Sequence, residues 1–228
     1  MSEYRWLLFD ADNTLFDFDA AEESAITRTL THYGIAADEE AKSRYRAANT
    51  ALWAAFDRGE IDQEKLVVER FARFLAGEGR KGDPGEWNRA YLDRLAEGSV
   101  LLPGAEALCR ALAGRYELSL VTNGVSYVQR RRLKASPLAP FFGERVYISG
   151  ELGYRKPERR YFEKVLAGLR AEPREVLVIG DSLSSDIQGA VNAGLDSVWI
   201  NFRGNTPGTV RPTYEVPGFD RLAELLGV

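Results

Sequence analysis

Four short, mostly apolar runs stop abruptly at polar residues, and this constrains the fold more than any other feature of the chain. Trp6-Leu7-Leu8-Phe9 ends at Asp10 and Leu118-Ser119-Leu120-Val121 at Thr122. Val176-Leu177-Val178-Ile179 ends at Gly180-Asp181, and Ser197-Val198-Trp199-Ile200 at Asn201. Runs of this length without strict alternation suit strands buried on both faces of a parallel sheet. Helical periodicity fills the intervals. Ala105, Leu108, Cys109 and Leu112 recur at i, i+3, i+4 and i+7. Tyr161/Phe162, Val165, Leu166 and Leu169 form a second stripe, and Ile187, Ala190, Val191 and Gly194 a third. Strand–helix alternation from residue 100 onward predicts an α/β fold with a doubly wound parallel sheet.

One stretch breaks the alternation. Residues 19–97 show helical periodicity and no convincing strand: Tyr45, Ala48, Leu52, Ala55 and Phe56 make one stripe, and Val67, Phe71 and Phe74 another. Gly34, Gly59 and the segment 77–85 punctuate it as helix ends and loops. The expected organisation is an α/β core of residues 1–18 plus 98–228, carrying an all-helical cap, 19–97, inserted after the first strand. A chain of 228 residues has room for that arrangement.

Composition narrows the chemistry. One cysteine, Cys109, and one histidine, His32, exclude an intramolecular disulfide and a Cys/His zinc cluster. Thirty Lys+Arg against 34 Asp+Glu, a net charge of −4, offer no global footprint for a nucleic acid or an anionic membrane. The run before Asp10 is too short for a signal peptide, and no apolar stretch reaches the ~18 residues of a membrane span. A cytoplasmic location in a reducing compartment is expected.

Ligands of open α/β sheets bind beyond the carboxyl ends of the strands. Asp10, Asp12, Thr122, Asn123, Asp181 and Asp186 fall at those ends. Two like charges ~4 Å apart repel by about 4 kcal/mol at an effective dielectric of 20, so such a cluster needs a cation. Oxygen ligands without His or Cys select Mg2+ over zinc. Lys156, after a candidate strand at Val146 to Ser149, would add a fixed positive charge.

These residues carry a resemblance. Phe9-Asp10-Ala11-Asp12-Asn13-Thr14-Leu15 resembles the first motif of the haloacid dehalogenase superfamily, and Val121-Thr122-Asn123-Gly124 is similar to its second. Lys156-Pro157 is similar to the third motif, and Gly180-Asp181 through Asp186 to the fourth. The resemblance implies a phosphomonoester hydrolase with a C1 helical cap. Asp10 would be the nucleophile, forming an aspartyl phosphate, and Asp12 the general acid and base. Thr122, Asn123 and Lys156 would bind phosphate. Asp10, the Asp12 backbone carbonyl and Asp181 would hold Mg2+, with Asp186 either a ligand or an acceptor behind the ligands.

A narrower resemblance concerns substrate. Asp10 to Phe16, Tyr45 to Trp53 and Ser185 to Gly194 are similar to the pyrimidine 5′-nucleotidase subfamily. It implies a nucleoside monophosphate, with phosphoglycolate, sugar phosphates or a sugar-phosphate mutase as alternatives. Asn49 and Trp53, i and i+4 beside the stripe of their helix, would read and stack on a base. Asp12 argues against a true dehalogenase. A phospho-accepting regulatory domain would leave the helical insert without a role. Outside these motifs, His32 is read as a helix C-terminal residue and Cys109 as a buried hydrophobe. Arg130-Arg131-Arg132 is read as a solvated helix face.

Overall fold

The computed structural model describes residues 4–228. Its core is a six-stranded sheet, all parallel, in the order β3-β2-β1-β4-β5-β6. The strands are β1 (Trp6–Phe9), β2 (Glu117–Thr122), β3 (Val146–Ile148), β4 (Val176–Gly180), β5 (Asp196–Ile200) and β6 (Tyr214–Val216). All four apolar runs are strands. β6 carries no such signal, because it is a three-residue edge strand whose Glu215 is exposed.

Four helices follow β1: α1 (Phe18–His32), α2 (Glu39–Asp57), α3 (Gln63–Gly77) and α4 (Pro84–Leu95). Each begins at an aspartate whose carboxylate accepts from the first turn. Asp17 takes the amide of Ala20, Asp38 that of Ala41, Asp62 that of Lys65 and Asp83 that of Gly85. Such caps contribute about 1 kcal/mol apiece. The chain then returns through α5 (Ala105–Leu112) to β2, followed by α6 (Ser126–Ala135), α7 (Ala139–Phe142) and β3. The remaining helices are α8 (Ser149–Leu152), α9 (Arg159–Leu169), α10 (Gln188–Ala193) and α11 (Phe219–Leu226).

Alternate residues of β1 serve different layers. Leu7 and Phe9 pack with α5 and α11, whereas Trp6 and Leu8 pack with α9 and Ala190 of α10. The inserted helices have a core of their own, centred on Tyr45, Phe71, Phe74, Trp87 and Tyr91. Burying each such ring contributes about 1.5–3 kcal/mol, enough to hold four short helices together without a sheet. The entry and exit strands of this insert pair with each other: Leu102 donates to the Leu15 carbonyl and Asp17 to that of Val100.

Two periodicity readings shift. Asn49 lies on the buried stripe of α2, with Tyr45, Leu52 and Phe56, rather than beside it. Val191 is exposed, at the edge of the face of α10 on which Ala190 is buried.

Candidate active site

The sheet order reverses between β1 and β4, since β2 and β3 lie on one side of β1 and β4 to β6 on the other. A crevice opens at such a switch point. Phe9 pairs with Ile179 there, so Asp10 and Asp181 emerge side by side. Oxygen atoms of Asp10, Asp181 and Asp186 lie within 4.8 Å of one another. Asp186 reaches them from the π-helical turn, passing over Gly180, where a Cβ would overlap its carboxylate.

One lysine holds the cluster together. Lys156 Nζ donates to Asp10 at 2.6 Å, to Asp186 at 2.7 Å and to the Val121 carbonyl at 3.1 Å. Asn123 fixes the Lys156 backbone from both sides, donating to its carbonyl and accepting from its amide. The Thr14 hydroxyl lies 2.9 Å from Asp10 Oδ2 and 3.3 Å from Asp181 Oδ1, and accepts from the Asp181 amide. Asp186 also accepts from the Ser182 amide.

Three carboxylates share one ammonium, and the electrostatics follow from that imbalance. Burial pushes Asp10 well above the usual carboxylate range; Lys156 opposes the shift, while Asp186 and Asp181 add to it. Burial and Asp186 push Asp181 up to about 7, against Lys156 and the Thr14 hydroxyl. Burial disfavours the Lys156 ammonium, but Asp10 and Asp186 outweigh it and the net shift is upward. The surplus negative charge and the oxygen-only donor set fit a hard divalent cation.

Asp12 faces the same crevice with different partners. Arg132 Nη1 of α6 pairs with one carboxylate oxygen, and Gln129 Nε2, one turn earlier, donates to the other at 2.5 Å. Gly124 makes room for this glutamine, since a Cβ there would overlap its amide. Arg132 Nε donates to the Gly98 carbonyl at 2.7 Å, tying Asp12 to the chain leaving the cap. The expectation of a solvated arginine face therefore fails for Arg132, which is fully buried. Arg130 pairs with Glu151 in the open, and Arg131 donates to Tyr127.

A cavity of about 220 Å3 lies over this floor. Asp10, Asp12, Thr122, Asn123, Lys156, Asp181 and Asp186 all line it. Phe18, Trp53, Asp57, Arg70, Leu92 and Leu95 close it from the inserted helices. Gln63 of α3 adds a direct tie, donating to the Asn123 carbonyl at 2.7 Å. Of the two residues expected to contact a base, Trp53 reaches the cavity. Asn49 stands behind it, joined to Glu22 and Arg70.

Thr14, Gln129, Arg132, Asp57 and Arg70 carry no role in the sequence reading. Two of them left a signal. Gln129 and Arg132 occupy the apolar phase of α6 with Val128 and Leu133, where an exposed face would place neither.

A doubly wound parallel sheet with carboxylates and a lysine at its switch point, roofed by helices inserted after the first strand, defines the class: an α/β protein with a buried acidic site under a helical insert. The chain belongs to the haloacid dehalogenase-like hydrolases, whose family model matches residues 4–194. It is therefore an enzyme. It is 39% identical to the pyrimidine 5′-nucleotidase PynA of Streptococcus pneumoniae, over 98% of this chain and 95% of that protein. It is 34% identical to the pyrimidine 5′-nucleotidase YjjG of Escherichia coli, over 98% of both. The crystal structure of the HAD-hydrolase YfnB from Bacillus subtilis, bound to magnesium, superposes with a TM-score of 0.93 at 36% identity. That match covers 99% of this chain and 100% of YfnB. No helix among the described residues is long and apolar enough to cross a membrane.

Proposed function

We propose that the protein is a Mg2+-dependent phosphomonoester hydrolase that acts on pyrimidine nucleoside 5′-monophosphates through an aspartyl phosphate. The observation that carries this reading is the Asp10 carboxylate. It is 7% exposed, gripped by Lys156 and Thr14, and set at the floor of a cavity that Asp12 also lines. A carboxylate held in a fixed orientation at the cavity floor can attack phosphorus, and Asp12, which lines the same cavity, can carry a proton.

In the first step an Asp10 oxygen attacks phosphorus as the bond to the leaving oxygen breaks, and Asp12 protonates that oxygen. In the second, Asp12 takes a proton from water, and the water oxygen displaces Asp10 from phosphorus, releasing phosphate and restoring the carboxylate. Lys156 and the Thr122–Asn123 turn hold the non-bridging oxygens, which gather charge in both transition states. Asp10, Asp181 and the Asp12 backbone carbonyl would hold Mg2+, with Asp186 beside them gripping Lys156. The ion would supply charge neutralisation at the phosphoryl group. Residues 19–97 act as the cap that supplies substrate contacts, and the lone cysteine accords with a cytoplasmic enzyme.

The pyrimidine assignment draws on the relatives PynA and YjjG. A phosphate-release screen over UMP, CMP, TMP, AMP, sugar phosphates and phosphoglycolate, with and without Mg2+, tests it. Turnover should require the cation, vanish in EDTA and favour pyrimidine nucleotides. Full activity in chelator removes the metal assignment, and preference for phosphoglycolate or a sugar phosphate removes the nucleotide.

A further inference from the structure

Four cationic side chains are buried among the described residues: Lys42, Arg70, Arg132 and Lys156. Three of them meet carboxylates: Lys42 pairs with Glu23, Arg132 with Asp12, and Lys156 with Asp10 and Asp186. Arg70 differs. At 2% exposure its hydrogen bonds run to the Val67 carbonyl (3.2 Å), Asn49 Oδ1 (3.2 Å) and Asn88 Oδ1 (2.8 Å), all neutral. The nearest carboxylate in this network, Glu22, makes no hydrogen bond to Arg70; it accepts from the Asn49 amide at 2.7 Å and from the Tyr91 hydroxyl at 3.5 Å. Burial pushes Glu22 upward against the pull of Arg70, which further weakens it as a counter-charge.

A buried cation without a contact counter-ion is costly, and apolar replacement of such groups is commonly stabilising. Packing alone therefore gives no reason for an arginine at this place in the cap core. Its guanidinium lies 4.5 Å over the ring of Tyr91 and is clamped by two amides, so its plane is fixed. Of its five N–H groups three are engaged, and the buried Tyr45 hydroxyl lies close to the guanidinium, which leaves at least one N–H for a ligand. Arg70, from the inserted helices, also lines the cavity whose floor the carboxylates form. Phe18, Trp53, Leu92, Leu95 and Val128 supply apolar lining.

We propose that Arg70 is the base-reading residue of this enzyme, donating to a ring carbonyl, the O2 shared by uracil, thymine and cytosine. Glu22, Asn49 and Asn88 position it. The inference rests on the nucleotidase reading above and extends it. A group that only donates must meet an acceptor, and apolar walls ending in a donor suit a flat ring with a carbonyl at its far edge. The cavity, about 220 Å3, runs from the carboxylate floor to Arg70 and lies at the small end for a ligand site. An organic carboxylate is the competing ligand for a free guanidinium, but it would sit among those same apolar walls with Asp57 lining the cavity.

The test compares four substrates on the wild-type enzyme, on Arg70→Met and on Arg70→Lys, with thermal unfolding of each. The substrates are UMP, its phenyl C-riboside 5′-phosphate isostere (which has no acceptor), ribose 5-phosphate and phosphoglycolate. Wild type should favour UMP over the phenyl isostere by about 10–100-fold in kcat/KM, the worth of a charge-assisted hydrogen bond. Arg70→Met should erase that preference while turnover of ribose 5-phosphate stays within about twofold, and Arg70→Lys should restore part of it. If Arg70→Met does not fold, the wild-type contrast and Arg70→Lys still decide. Equal use of UMP and the phenyl isostere by wild type overturns the inference. So does an equal loss on all four substrates, or a loss confined to phosphoglycolate. A wild type that ignores UMP altogether fails the nucleotidase reading itself, a result distinct from each of these.

Discussion

In the core, a cluster of three carboxylates holds one lysine, which pairs with two of them; in the cap, three neutral acceptors converge on one arginine. The core cluster therefore carries surplus negative charge, close ion pairs and upward-shifted carboxyls at Asp10 and Asp181. The cap cluster holds a positive charge with no carboxylate in contact, fixed by Asn49 and Asn88 and with Glu22 one residue behind. Both clusters line one cavity. Under the proposed function, a ligand with a phosphate at one end and an acceptor at the other would engage both, with chemistry in the core and discrimination in the cap.

The largest effect that could break this division comes from the core. Asp10→Asn is nearly isosteric and removes only the attacking oxygen. Turnover should fall by at least about 10³-fold for every phosphomonoester, whatever its leaving group. The metal-free variant should unfold at a higher temperature than wild type, because one member of a repelling cluster has been neutralised. Steady-state kinetics and calorimetry check both; activity near wild type would remove the covalent mechanism.

The two regions also differ in how openly the sequence announced them. The core residues sit at strand ends, and a strand end is visible as an apolar run that stops: Phe9 before Asp10, Val121 before Thr122, Ile179 before Gly180-Asp181. The cap node draws Glu22 from α1, Asn49 from α2, Arg70 from α3, and Asn88 and Tyr91 from α4. No spacing rule links residues on four helices, so only their packing reveals the node. Asn49 shows the limit well. Its place on α2 was legible, but its direction, into the bundle rather than the cavity, depends on Arg70 and Glu22 across the interface. Arg132 was hidden for another reason: a run of three arginines reads as solvated, although the third lies on the buried phase of α6.

Arg132 marks the seam between the regions, holding Asp12 with one nitrogen and the Gly98 carbonyl with another. With Asp12→Asn the leaving oxygen departs unprotonated, so turnover of a nucleoside monophosphate should fall by about 10²–10⁴-fold. An aryl phosphate needs no such proton. It should show a burst of phenol followed by slow turnover, because breakdown of the intermediate still needs a base. Arg132→Lys, which keeps the charge but loses the fork, should reproduce the same leaving-group contrast at smaller amplitude. Equal losses on both substrates in single-turnover experiments would assign Asp12 to shaping the site rather than moving protons.

The smallest expected effect concerns pH, and it sharpens the contrast because only the core should respond to metal. The folded-state value for Asp181 is about 7, against 3.8 for the free side chain. Between these values the folded protein binds more protons than the unfolded chain, so stability falls as pH rises. The contribution is fully present below about pH 3.8 and is lost as pH climbs through about 7. Paired surface carboxylates such as Glu39, Glu60 and Glu151 are shifted downward and lose stability in the opposite direction, below their ordinary range. Glu22 and Asp57 of the inserted helices are shifted upward as well, so over about pH 5 to 7.5 the core contribution is the part of the slope that Asp181→Asn removes. In chelator, the thermal midpoint should drop by a few degrees across this window, at roughly 2–4 °C for each kcal/mol. Saturating Mg2+ should raise the midpoint most at the alkaline end, where ionised carboxylates are available to bind it. Asp181→Asn should reduce the slope of the metal-free profile and lose most of the Mg2+ response, while Arg70→Met should keep the Mg2+ response. A metal-free midpoint that is flat or rises over this window would show that the three carboxylates share Lys156 without strain, and the argument that they call for a cation would fall with it.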